Sequence, residues 1–203
     1  MAVSNLVTTG GVSTSDLIST QRWTLLTSMT FGSASSEQTL SGLSSYNYRN
    51  FKLVFGGYYG TSTGVAYLRI NGDSTSSSYQ SQGHTTFGTG TSPYNQTIPE
   101  ADISNFYFLS CYDSIQYGTL QHAASSPFVG EIEISNANST GDKLIKSTFT
   151  YRATNNYTAT SYKNGIYKPT AGAAIISSVT LGDTNTTINA SGWSYGMKLF
   201  GAN

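Results

Sequence analysis

Apolar residues in this chain recur at every second position, and that period decides what it can fold into. Phe128, Gly130, Ile132 and Ile134 alternate with Val129, Glu131 and Glu133, and Ile145, Ser147, Phe149 and Tyr151 alternate with Leu144, Lys146 and Thr148. A strand sends successive side chains to opposite faces, so such runs bury one row and expose the other. Phe51, Leu53 and Phe55 against Lys52 and Val54 repeat the pattern, as do Ala66, Leu68 and Ile70. No stretch sustains the i, i+3, i+4, i+7 spacing of an amphipathic helix. The expectation is an all-β chain, folded as a single antiparallel β-sandwich.

Strands are expected over 23–29, 37–40, 48–55, 65–70, 106–109, 117–120, 128–134, 143–151, 173–181 and 194–200, between clusters of Gly, Ser, Asn and Asp. The first would carry Trp23, Leu25, Thr27 and Met29 on one face. The last would carry Trp193, Tyr195, Met197 and Leu199. Asn71-Gly72-Asp73 is a strong turn signal. Residues 73–100 are rich in Ser, Gly, Tyr and Gln without a period, and read as a long loop, a kind of segment that tends to carry function. Residues 154–165 read as a loop or weak strand. Residues 1–21 are small and polar and read as a short extended N-terminal arm, with the sandwich from 22 to 203. Neither a secretory leader nor a membrane helix of about 20 apolar residues is expected.

Charged residues make up 10% of the chain and the formal net charge is zero, where a typical soluble domain has about 25% charged residues. No basic patch exists to hold nucleic acid or an anionic membrane. The 15 Tyr, 9 Phe and 2 Trp supply a core despite few aliphatic residues. Strands without charges leave their edges unguarded, and a neutral surface favours association. Both point to a subunit with built-in neighbours. The single cysteine, Cys111, excludes an internal disulfide.

Catalytic chemistry finds little to work with. His84 and His122 lack carboxylates at metal-ligand spacing. Glu131 and Glu133 share one strand face, and paired carboxylates serve glycoside hydrolysis, but a hydrolytic pair converges across a cleft. They read instead as a solvated face, balanced by Lys143 or Lys146. Calcium would need more acidic loops than Asp73 and these two supply. Cys111 has no histidine close by, no G-x-S-x-G elbow is present, and no glycine-rich phosphate loop occurs. A protein without enzymatic activity, metal or cofactor is expected. The tyrosines say more. Tyr58, Tyr59, Tyr79, Tyr94, Tyr157, Tyr162 and Tyr167 fall in or beside expected loops, and Tyr among Ser, Gly and Asn makes a versatile contact surface. They are the candidates for an interface or a glycan contact.

The order of the segments carries a resemblance. Leu43-Ser44-Ser45-Tyr46 precedes a strand ending Leu53-Val54-Phe55, then comes Leu68-Arg69-Ile70-Asn71-Gly72-Asp73, then Phe128 to Ile134, then Ile175 to Leu181, and Ser191-Gly192 leads to Lys198-Leu199-Phe200-Gly201. This succession resembles the jelly-roll-type β-sandwich of structural proteins on the surface of tailed bacteriophages, both tail fibres or spikes and head-decorating proteins. The resemblance implies a jelly roll, a place on the virion surface, virion proteins as partners, assembly as a homotrimer and no catalytic motif. Two departures shape the expectation: the 74–96 insertion is long, and no shaft precedes the domain. A capsid decoration (cement) subunit is therefore expected first. A tail fibre, spike or adaptor domain that binds host-surface glycans is the alternative.

Overall fold

The computed structural model describes residues 22–30, 37–58, 66–88, 93–109, 111–113, 118–120, 127–152, 158–169, 175–183 and 196–203. Within them the strands are β1 (Thr24–Met29), β2 (Glu37–Ser41), β3 (Asn50–Tyr58), β4 (Ala66–Ile70), β5 (Tyr79–Gly88), β6 (Pro93–Ile103), β7 (Phe106–Leu109), β8 (Cys111–Asp113), β9 (Gly118–Leu120), β10 (Pro127–Ser135), β11 (Lys143–Arg152), β12 (Thr158–Tyr167), β13 (Ser178–Asp183) and β14 (Met197–Ala202). A short 3-10 turn at Leu43–Ser45 is the one helical element among the described residues. None there is a helix long and apolar enough to cross a membrane. The arm expected at 1–21 lies outside the described residues.

The strands form two main antiparallel sheets, the arrangement of a β-sandwich. The larger runs β1-β14-β3-β10-β11-β12-β5-β6, the smaller runs β2-β13-β4-β7, and β8 pairs with β9 apart from both. Period two explains the core. On β11, Lys143, Ile145, Ser147, Phe149 and Tyr151 are buried while Leu144, Lys146, Thr150 and Arg152 are exposed. On β3, Phe51, Leu53 and Phe55 are buried; on β10, Phe128, Ile132 and Ile134 are. Phe108 of the small sheet meets Phe55 and Phe149 of the large one, with ring centroids 5.4 and 4.7 Å away. Phe55 and Phe149 stand 4.9 Å apart. Three rings from three strands thus join the two sheets.

Asn71-Gly72 turns as its residues demand, with φ of 54° and 69° and a hydrogen bond from the Asp73 amide to the Ile70 carbonyl (3.0 Å). These are the positive φ values that Asn and Gly tolerate best. The turn does not make a hairpin. It takes the chain from β4 in the small sheet to β5 in the large one.

Two sequence expectations need correction. Most of residues 73–100 are not a loop: β5 and β6 occupy this stretch as the edge of the large sheet. Ser81 and Thr85 face inward and Gln82 and His84 outward, so the strand alternates in burial but not in hydropathy. Of the two readings of 154–165, a loop or a weak strand, the structure has the strand, β12, whose inward residues Ala159, Ser161 and Lys163 are small or polar. Finally, Leu25 is 54% exposed. The register of β1 against β14 slips between Leu25 and Thr27, a bulge that turns Leu26 toward the core instead.

Candidate functional site

Of the seven candidate tyrosines, the structure sets one on an exposed surface and two, Tyr79 and Tyr167, in the core. Tyr59 and Tyr157 lie outside the described residues, as do the side chains of Tyr58 at the end of β3 and Tyr94 in β6. Tyr79 has no exposed surface, so it is a core residue and not a contact residue. It was misread because the segment around it was misread as a loop.

Tyr79 works as a clasp. Its hydroxyl accepts a hydrogen bond from the Ile70 amide (2.7 Å), and its ring stacks on buried Tyr167 at 4.9 Å. Tyr167 donates to Asp73 Oδ2 (3.2 Å). Burial pushes both phenols well above their ordinary range, so they remain protonated. Asp73 also accepts from the Thr75 amide (2.9 Å) and the Ser78 hydroxyl (3.0 Å). Partial burial works to raise the Asp73 carboxyl, but these donors outweigh it and hold the group below its ordinary value of 3.8. A carboxyl lowered on folding stabilises the protein above its unfolded pKa, and that stability is lost as pH falls through the folded one. Stability measured by urea unfolding is therefore expected to fall as pH drops below about 4, and Asp73→Asn is expected to flatten that acid limb. An unchanged pH profile in the variant would remove Asp73 from the account.

The exposed candidate, Tyr162, stands on the outer face of the large sheet. It is 41% exposed and stacks on His84 across the β12–β5 pair, with centroids 5.0 Å apart at 23°. His84 thus belongs to a strand, not to the loop expected for it. The pairing register builds this face in rows. One row is Glu131, Thr148, Tyr162 and His84. The next is Glu133, Lys146, Asn164 and Gln82. A third is Ser135, Leu144, Ile166 and Gln80. Over the last two rows lies a groove of about 710 Å³ that crosses β10, β11, β12 and β5. A polar depression of about 410 Å³ shares Ser135 and Leu144 with it and reaches Arg49 and Asp142.

The carboxylates on this face are paired, though not as expected. Lys52 of the neighbouring β3 stands between them, 2.6 Å from Glu133 Oε1 and 3.5 Å from Glu131 Oε2. Trp23 covers the same ammonium at 4.8 Å. Partial burial tends to lower the Lys52 pKa, but the two carboxylates prevail and hold it above its ordinary value. Lys143, expected as a counter-ion, points inward and donates to the Ser139 and Gly141 carbonyls of its own hairpin. Lys146 is exposed beside the groove.

Among the described residues no three His, Cys, Asp or Glu side chains gather where a metal ion would sit. His122 and the Cys111 side chain lie outside the described residues. What the face offers is contact: amides, hydroxyls and two stacked rings around an apolar floor. Sequence reading missed the groove because its walls come from four strands that only the register brings side by side. The signal it did contain was the outward placement of Leu144, Lys146 and Glu133. Set against protein-family models, curated proteins and solved structures, the chain matches none.

Proposed function

We propose that this chain is a non-enzymatic structural subunit of a bacteriophage virion, a capsid decoration (cement) protein of jelly-roll type that assembles as a homotrimer on the particle surface. The observation that carries the reading is strand order. Of the twelve strands in the two sheets, β1, β3, β10 and β14 stand together as β1-β14-β3-β10, and β2, β4, β7 and β13 as β2-β13-β4-β7. With β5, β6, β11 and β12 left out and these eight numbered in chain order, that is 1-8-3-6 over 2-7-4-5, which supports a jelly roll built from two Greek keys. The β11-β12-β5-β6 strands then extend the first sheet from β10. The low charge supports the same reading, because a subunit among fixed neighbours has less need of charge to stay apart.

Counting copies in purified virions tests it. Many copies per capsid are expected, while absence from the particle would overturn it. One observation favours a second reading, a tail fibre, spike or adaptor domain contacting host glycans. It is the exposed Tyr162–His84 pair beside the groove. A handful of copies located at the tail would select that reading over the first.

A further inference from the structure

We propose that the groove on the outer face of the large sheet binds an uncharged oligosaccharide laid across β10, β11, β12 and β5. The inference deepens the glycan-contact reading and rests on it.

Three features of the groove select this ligand. The first is its floor. Leu144 is 58% exposed and lies in register with half-buried Ile166. Together they form an apolar strip suited to the C–H face of a sugar ring. The second is the hydrogen-bonding character of the walls. Gln80, Gln82 and Asn164 line the groove, and each amide carries both a donor and an acceptor. Sugar hydroxyls also donate and accept, so neutral amides match them without a charge to desolvate. The third is charge. Glu131 and Glu133 share Lys52, and Lys146 is the remaining cation on these rows. Lys168, which follows β12, adds a third ammonium at the edge of the groove, where it donates to Gln80 Oε1 (3.3 Å), so two carboxylates against three ammonium groups leave a surplus of one, short of the basic patch that would draw an acidic glycan.

Size agrees with the assignment. Strands lie about 4.8 Å apart, so the distance from β10 to β5 is about 14 Å. That is the length of a short oligosaccharide, and the depression sharing Ser135 and Leu144 extends the path. Tyr162 precedes Asn164 by two residues on the same face, about 7 Å along the strand. Its stack on His84 fixes the ring in advance, which lowers the entropy cost of using it as a contact.

The full chain should be titrated by calorimetry with neutral hexasaccharides of glucose, mannose, galactose and N-acetylglucosamine, and with oligogalacturonate and sialyllactose as anionic probes. At least one neutral probe is expected to bind and the anionic ones are not. Tyr162→Ala and the Gln82→Ala/Asn164→Ala pair are each expected to weaken binding by about tenfold with an unchanged urea midpoint. Tyr162→Phe should keep affinity within about twofold. Any of three results would overturn the proposal: no neutral probe binding at millimolar concentration, affinity indifferent to these substitutions, or preference for an anionic probe. A drop in oligomer mass on Leu144→Asp would also overturn it, since a second copy would then occupy the groove. Copy number and location on the virion decide the underlying reading separately, so a tail-located subunit with an empty groove would sink this inference alone.

Discussion

Replacing Phe149 with alanine is expected to destabilise the protein by about 4 kcal/mol. Phe149 is fully buried and touches the rings of Phe55 and Phe108 on either side. Phe108 belongs to the small sheet, so the deletion removes a contact between the sheets as well as one within the large sheet. The cost has two parts: the apolar surface no longer buried, and the cavity left where neighbouring strands cannot collapse. Urea unfolding should show a lower midpoint with an unchanged slope, because the native fold persists. The exposed neighbour Thr150→Ala should stay within about 0.5 kcal/mol of the parent and serves as the control. A Phe149→Ala loss below about 1 kcal/mol would mean that the three rings do not join the sheets.

The opposite defect at the same place is expected from Gly130→Ala. Gly130 of β10 pairs with Phe149 of β11. A Cβ added there would come within 3.0 Å of both the Phe149 ring and the Thr148 carbonyl oxygen. The ring is packed and the carbonyl belongs to the sheet, so neither can move cheaply. Overpacking of this kind costs about 3 kcal/mol. The two sites touch, so their effects should not add. Phe149→Leu in the Gly130→Ala background relieves the ring clash but not the carbonyl clash, and the pair should recover about 1 kcal/mol relative to the sum. Strict additivity would contradict the packing described here.

These two positions also mark how far the fold could be read from residues alone. Phe149 and Gly130 were assigned inward because their strands alternate large apolar groups with polar ones, and both sit at the sheet interface. The same rule placed Phe51, Leu53, Phe55, Ile132 and Ile134 correctly. It fails on β5 and leaves β12 between a loop and a weak strand, because the inward positions there include Ser81, Thr85, Ser161 and Lys163. Burial alternates there while hydropathy does not, and a hydropathy pattern is blind to that. The misreading of β5 carried Tyr79 with it, because a tyrosine in a supposed loop looks like a contact residue. The β1 bulge defeated the rule in another way: one extra residue inverts the facing of Leu25, and nothing local announces it.

The site was less legible than the fold for a related reason. The alternation sets Glu133 outward and Leu144 and Lys146 on one face together, yet Gln80 and Gln82 lie in a segment that reads as a loop and Asn164 in one that reads as a loop or weak strand. The alternation also sets Lys52 on the face opposite Phe51, Leu53 and Phe55. That it would sit between Glu131 and Glu133, 79 residues away for the first of them, depends on β3 pairing with β10. Pairing between distant strands is set by the whole core, not by the residues that meet.

Strand order is the claim on which the rest depends, and interstrand nuclear Overhauser contacts test it most directly. Cross-strand contacts are expected between Ser28 and Lys198, where the first strand lies beside the last, and between Thr39 and Thr180, where β2 lies beside β13. A spectrum in which β1 instead contacts β2 as a simple hairpin would contradict the interleaved order, and with it the proposed place of this chain among jelly-roll virion proteins.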